Sequence, residues 1–195
     1  MFGGIIQEKT RVVSAKGKLA VVEVAFSKPK KWKLEKGQSI AIDGICSTVV
    51  SSGGETFVVE YIPETLRLTT AKFFDEGRVV NLERSLKYGD FVDGHFVQGH
   101  VEGLGVLKKL VAEKNTVEMT ISVPKSLAAH IIRKGSVAFN GVSLTVARVS
   151  YGNVTVALIP HTLSATNLGL LKEGDSVNVE TDMLARHLAA SLKSL

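Results

Sequence analysis

Residues 62–83, IPETLRLTTAKFFDEGRVVNLE, decide the fold, because residues 159–180, IPHTLSATNLGLLKEGDSVNVE, repeat them without a gap. Ile62-Pro63 recurs as Ile159-Pro160, Thr65-Leu66 as Thr162-Leu163, Glu76-Gly77 as Glu173-Gly174, Val80-Asn81 as Val177-Asn178 and Glu83 as Glu180. Ten of the 22 aligned positions are identical. A second block keeps the same offset: Gly44-Ile45-Cys46-Ser47-Thr48-Val49 matches Gly141-Val142-Ser143-Leu144-Thr145-Val146. A period of 97 residues is too long for a solenoid and has the size of a small domain. The chain reads as one domain duplicated, so a pocket built by one copy is expected twice. Two similar pockets suit two molecules of the same ligand.

The rest of the sequence bounds this reading. With 195 residues, 45% hydrophobic and 22% charged, the chain has ordinary globular composition. Four prolines and no low-complexity tract leave no long disordered linker. The opening Met1-Phe2-Gly3-Gly4-Ile5-Ile6 lacks the basic region and apolar run of a secretory signal. No apolar stretch approaches the roughly 18 residues of a membrane span. The single cysteine, Cys46, excludes an internal disulfide and fits a reducing cytoplasm. A net charge of +5 admits an anionic partner only weakly. The cluster Lys28-Pro29-Lys30-Lys31-Trp32-Lys33, with Lys36 beyond, can grip phosphates and stack a base. It reads more simply as a solvated loop leading into a short surface helix. Neither nucleic acid nor membrane is expected as a partner, and no metal site or cofactor.

Val21 to Phe26, Ser39 to Ile42, Ser47 to Val50, Thr56 to Glu60 and Val79 to Glu83 read as strands, as do Val117 to Val123, Ser136 to Phe139, Leu144 to Val149 and Val154 to Leu158. Gly53-Gly54 and Tyr151-Gly152-Asn153 mark tight turns. About six strands per half close most simply into a small Greek-key barrel, which leaves no free edge. Short helices are expected around Lys31 to Leu34 and Lys125 to Ile132. The expected class is all-β: two tandem barrels over residues 1–94 and 95–182, then a helix over 183–195. In that helix Leu184, Leu188, Leu192 and Leu195 fall at helical spacing. A helix of about 13 residues is marginal alone in water, so it packs on another subunit or on its own chain.

Met1-Phe2-x-Gly4-Ile5-Ile6-Gln7, the two Gly-x-Cys/Ser-x-Thr-Val blocks, the two Pro-x-Thr-Leu segments, and Gly94-His95 followed by Gly99-His100 together resemble riboflavin synthase of the alpha-chain type. The resemblance runs from Met1 to about Asp182. It implies two Greek-key barrels, a C-terminal helix and a homotrimer in which the first barrel of one subunit faces the second barrel of its neighbour. It implies a dismutation without cofactor or metal: two 6,7-dimethyl-8-ribityllumazine molecules exchange a four-carbon unit, giving riboflavin and 5-amino-6-ribitylamino-uracil. Holding two identical substrates face to face gives the duplication a physical purpose. A non-catalytic lumazine- or flavin-binding antenna protein of the same fold is the alternative. Some relatives also associate with a lumazine synthase capsid.

Donor and acceptor have different tasks, so positions where the halves differ are informative: Cys46 against Ser143, Ile5 against His100, Glu64 against His161. By resemblance, His100, Cys46, Ser143, Asp182, Ser39, Thr48 and Thr145 carry the chemistry. His100 can move a proton from the acidified 7-methyl group of the lumazine, although a histidine there also reads as a core residue. Cys46 can add to carbon 7, or be a small core residue. Ser143 and Thr145, two apart in a strand, point to one face. Asp182 can polarise a serine or cap the following helix. His95, five residues from His100, shares no face with it in a helix or a strand, so a two-histidine metal site is not expected, and His95 reads as structural or as a support for another site residue. The ligand surface implied is Phe2, Gly4, Ile5 and Ile6; Cys46, Ser47 and Thr48; the strand residues Glu60, Tyr61, Ile62, Pro63, Glu64 and Thr65; Gly99, His100 and Val101; Lys134; Ser143, Leu144 and Thr145; and the strand residues Ile159, Pro160, His161, Thr162, Leu163 and Ser164. Lys36 is taken as the first-half counterpart of Lys134. Gly3, Ile45, Ser47 and His161 depart from the residues usual in the family and bear on ligand geometry.

Overall fold

Alternation sets the inside of each barrel. Along Ile45–Gly53, Ile45, Ser47 and Val49 are buried while Cys46 and Thr48 face outward. Along Val142–Ser150, Val142, Leu144 and Val146 are buried while Ser143 and Thr145 face outward. The computed structural model, which describes residues 1–17, 22–113 and 115–193, gives two closed antiparallel barrels. The first consists of β1 (Glu8–Lys16), β2 (Val22–Ser27), β3 (Ser39–Ile42), β4 (Ile45–Gly53), β5 (Thr56–Tyr61) and β6 (Val79–Arg84). They pair in the order 1-2-5-4-3-6, and β6 returns to β1 to close the ring. The second consists of β7 (Gly103–Glu113), β8 (Thr116–Ser122), β9 (Ser136–Phe139), β10 (Val142–Ser150), β11 (Asn153–Leu158) and β12 (Ser176–Thr181), in the matching cyclic order 7-8-11-10-9-12. Register shifts fall at equivalent places, Val12/Ser14 with Leu107/Lys109 and Val49/Ser51 with Val146/Arg148. Such bulges bend strands where a barrel must turn.

The cores differ in chemistry. The first packs Phe26, Phe57, Tyr61 and Phe74 against aliphatic neighbours, with Phe26 and Phe57 stacked at 5.3 Å. The second is aliphatic apart from Phe139, around Leu107, Met119, Ile121 and Val156. Trp32 belongs to the first core, and the Arg84 guanidinium lies 5.2 Å above its ring. Its indole is therefore not available to stack a base, and in place of the helix expected over Lys31 to Leu34 there is one turn, closed by the Trp32 amide on the Pro29 carbonyl at 2.9 Å, followed by irregular chain. The helix expected over Lys125 to Ile132 is the single turn α2 (Lys125–Ala128). Val21 and Leu195 lie outside the described residues. α1 (Pro63–Leu68) and α3 (Pro160–Ala165) each end a barrel strand, and α4 (Met183–Lys193) follows β12.

The barrels meet across a local twofold. β3 turns into β4 through Asp43-Gly44, and β9 into β10 through Asn140-Gly141, with φ of +48° and +75° in one and +46° and +78° in the other. Two consecutive positive φ values are the two-residue hairpin turn that Asp-Gly and Asn-Gly favour. The turns abut so closely that a Cβ on Gly44 would lie 2.6 Å from the Gly141 nitrogen. A buried polar ring surrounds them. Asn81 Nδ2 donates to the Asn140 carbonyl, and Asn178 Nδ2 to the Asp43 carbonyl. Asn167 Nδ2 donates to Asp43 Oδ1 at 2.8 Å. Within the ring only Asp43 Oδ2 is left without a partner among the described residues, and a buried network of this kind specifies one docking geometry.

Candidate active site

Two short arms cross between the barrels. Phe2 and Val97 exchange both backbone hydrogen bonds at the local twofold, and both side chains are buried there with Ala41 and Ala138. Past that bridge the N-terminal arm reaches the second barrel, where the Ser143 amide donates to the Gly4 carbonyl at 2.8 Å. The connector reaches the first barrel, where the Cys46 amide donates to the Gly99 carbonyl, also at 2.8 Å. Ile6 packs on the second core and Val101 on the first. Each barrel thus receives a lip from the other half of the chain.

Carboxylates hold the lips. Glu83 accepts from the amides of Gly3 and Gly4 at 2.8 and 3.1 Å, and Glu180 from those of Gln98 and Gly99 at 2.7 and 2.9 Å. Burial pushes the Glu83 carboxyl up to about 7, against the pull of the backbone amides, and burial raises Glu180 in the same way. Neither glutamate stood among the expected site residues. The signal was present, since both close the repeated block, and an identical acid retained in two copies marks a shared task. The glycines are required by contact: a Cβ on Gly4 would lie 2.6 Å from Ser143 Cβ, and one on Gly99 2.7 Å from Cys46 Cβ, both at positive φ.

At the first barrel this arrangement brings His100 and Val101 beside Cys46 and Thr48. Thr48 pairs directly with Ser39 across β3 and β4. Cys46 is half-buried, Thr48, Ser39 and His100 are exposed, and Ile62, just past the end of β5, is 57% exposed. At the second barrel Ile5 and Ile6 follow Gly4, which abuts Ser143, and Ile5 and Ile159 are exposed. Apolar rims with hydroxyls on the floor suit a flat heteroaromatic ring carrying a polyol. Asp182 caps α4 by accepting from the Leu184 amide at 2.9 Å, and its charge also bears on His95.

Several expectations need correction. Glu60 and Tyr61 are strand, but Pro63 and Pro160 begin α1 and α3, so Pro63 to Thr65 and Pro160 to Ser164 are helical. Proline is preorganised for the first helical position, and the repeated Ile-Pro is a helix start rather than part of a strand. Ser47, Tyr61 and Leu144 point into the cores. The Tyr61 hydroxyl meets Ser47 Oγ at 3.0 Å, and burial holds its phenol well above the usual range. Glu64 is paired to Arg67 at 2.7 Å, which lowers its pKa. The counterpart of Lys134 is Gly37, not Lys36: the Lys134 amide bonds the Val146 carbonyl as the Gly37 amide bonds that of Val49. Lys134 holds a left-handed φ of +69° where the first barrel uses glycine. For His95, the supporting alternative fits the geometry: its Nδ1 lies 2.7 Å from Ser143 Oγ.

The model of the lumazine binding domain matches this chain twice, over residues 3–85 and 98–182. Riboflavin synthase of Brucella abortus (strain 2308) is 43% identical over 198 residues, covering 97% of this chain and 96% of its own. The chain belongs to the riboflavin synthase family. Riboflavin synthase of Chlamydia trachomatis is 39% identical over 95% of this chain and 92% of its own, and that of Bacillus subtilis 35% over 96% and 88%. Among solved structures, LumP complexed with riboflavin superposes with a TM-score of 0.87 at 26% identity, covering 93% of this chain and 99% of that one. LumP complexed with 6,7-dimethyl-8-(1'-D-ribityl) lumazine gives 0.85 at 25%, with the same coverage. Both family segments begin at the crossing arms, so each matched segment opens with the lip that serves the other barrel.

Proposed function

We propose that the chain is a riboflavin synthase that dismutates two 6,7-dimethyl-8-ribityllumazine molecules by four-carbon transfer, giving riboflavin and 5-amino-6-ribitylamino-uracil. The observation that carries this reading is the pair of crossed lips. They give each barrel an outward hydroxyl-bearing floor beside an apolar rim, with different reactive groups: Cys46 and His100 at one, Ser143 and Thr145 at the other. Family membership and the ligands named for the LumP complexes support the lumazine as the molecule that fits. Each barrel binds one lumazine. His100, Cys46, Ser39 and Thr48 act on the first, and Ser143, Thr145, Lys134 and Asp182 on the second. The residues involved supply acid–base and nucleophilic groups, and no cofactor or metal enters the proposal.

Because both surfaces are open, they face each other between subunits, first barrel of one against second barrel of the next. α4 supports a homotrimer: Leu184, Leu188 and Leu192 are each more than 60% exposed, while Arg186 ties its base to Gln98 and Glu102. The apolar stripe therefore has no cover from its own chain among the described residues. A cytoplasmic location agrees with a free Cys46, and co-migration with a lumazine synthase capsid is the test of that association.

Incubating the purified protein with the lumazine alone tests the proposal: riboflavin must appear with no added cofactor. The rival reading is a chromophore carrier, favoured by the fold shared with LumP. Tight binding without riboflavin would establish the carrier instead.

A further inference from the structure

We propose that His95 is a positioning residue for the second barrel, holding the Ser143 hydroxyl as a proton acceptor toward the ligand, so that the connector serves one imidazole to each barrel. This rests on the reading of the chain as a riboflavin synthase. His100 follows Gly99, which lies against Cys46, and so serves the first barrel. His95 turns the other way, with Nδ1 2.7 Å from Ser143 Oγ.

The contact is built rather than incidental. The His95 amide donates to the Gly3 carbonyl at 3.2 Å. A Cβ on the preceding Gly94 would lie 2.2 Å from that carbonyl oxygen and 2.8 Å from Ser143 Oγ, so only glycine lets the connector press this closely. Ser143 itself lies on the outward face of β10 with Thr145. The other ring nitrogen, Nε2, is buried without a partner among the described residues. Histidines with a purely structural task usually satisfy both nitrogens, and a buried unpaired one calls for a functional account.

Charge favours the same role. Burial favours the neutral imidazole, and the Asp182 charge from the β12–α4 junction opposes that in part. The ring's hydrogen-bond partner is the Ser143 hydroxyl from β10; the Gly3 carbonyl from the arm holds the His95 amide, and the Glu83 carboxyl group accepts from the Gly3 amide behind it. A neutral ring with its proton on Nε2 can accept at Nδ1. The proton then moves in one balanced step: the ligand gives a proton to Ser143 Oγ as Ser143 gives its own to His95 Nδ1, and the imidazolium returns it by the reverse path. Asp182 stabilises the imidazolium.

Two variants separate this from a structural role. His95→Asn places an amide atom where Nδ1 sits and can bond Ser143, but cannot take up a proton. His95→Ala removes the bond as well. Both should keep the wild-type circular dichroism spectrum and bind 6,7-dimethyl-8-ribityllumazine within about threefold of wild type. Both should form riboflavin on the order of 100-fold more slowly at saturation, and the acid limb of the kcat profile should disappear. His95→Asn turning over within about threefold of wild type, or keeping that acid limb, overturns the proposal. An active wild type with an active His95→Asn removes this inference alone. A wild type that makes no riboflavin removes the functional reading, and the role of His95 with it.

Discussion

Lys134 sits in a backbone conformation that its own repeat partner assigns to glycine, at φ +69° against +89° for Gly37. A non-glycine residue in that region costs of order 1 kcal/mol and persists where function requires it. Lys134→Gly should therefore leave the thermal midpoint unchanged or raise it by a few degrees, while weakening lumazine binding and turnover. A lower midpoint with intact turnover would make the lysine a stability residue. Asp43 is the charged member of a ring whose twofold mate is the neutral Asn140. Burial, offset by the Asn81 amide and Arg78, pushes its carboxyl from 3.8 up to about 7, and Glu83 moves the same way. A raised folded pKa means the folded state holds more protons than the unfolded one between those values. Stability from Asp43 is thus fully present below about pH 4 and is lost as pH rises through about 7. Asp43→Asn should be more stable than wild type at pH 8 and show a shallower decline from pH 4 to pH 8. Thermal melts across that range check it, and an unchanged slope would contradict the burial argument.

The arms are the elements on which the site depends, and their glycines make separable predictions. Gly99→Ala would place a methyl 2.7 Å from Cys46 Cβ and within 3 Å of its backbone nitrogen, so the lip and His100 must move. Turnover should fall by at least about 100-fold, since small misplacements of reacting groups carry costs of that size. Gly54→Ala, also at positive φ but with nothing near its Cβ, should cost only about 1 kcal/mol of stability and no activity. Equal losses from both would mean that the lip does not position the chemistry. The arms also mark the limit of what local sequence pattern encodes. The strand pattern of β3, β4, β9 and β10 was legible, because alternation and turn residues are local. The Ile-Pro starts of α1 and α3 read as strand from the sequence because their hydrophobic pattern is too short to show helical period. The crossing of Gly4 and Gly99 was not legible, because which barrel an arm touches is a tertiary outcome. Nor was the His95–Ser143 bond, which joins residues 48 apart.

At the scale of the molecule, the 97-residue repeat fixes most of what the structure contains: two barrels, two lips, two glutamate clamps and one polar ring about a local twofold. The repeat does not reveal the assembly, because a leucine stripe on α4 looks the same whether it packs on its own barrel or on a neighbour. With that stripe exposed, deleting residues 183–195 should lower the oligomeric state by sedimentation and reduce riboflavin formation in parallel. A truncated chain that stays oligomeric and active would remove α4 from the assembly. The central claim is that two matched barrels work on two molecules of one substrate. The most direct measurement is the full product balance, by chromatography, after the protein consumes a known amount of 6,7-dimethyl-8-ribityllumazine. One riboflavin and one 5-amino-6-ribitylamino-uracil for every two lumazines is the predicted result. Riboflavin formed one for one with lumazine, or lumazine bound and recovered unchanged, would contradict it.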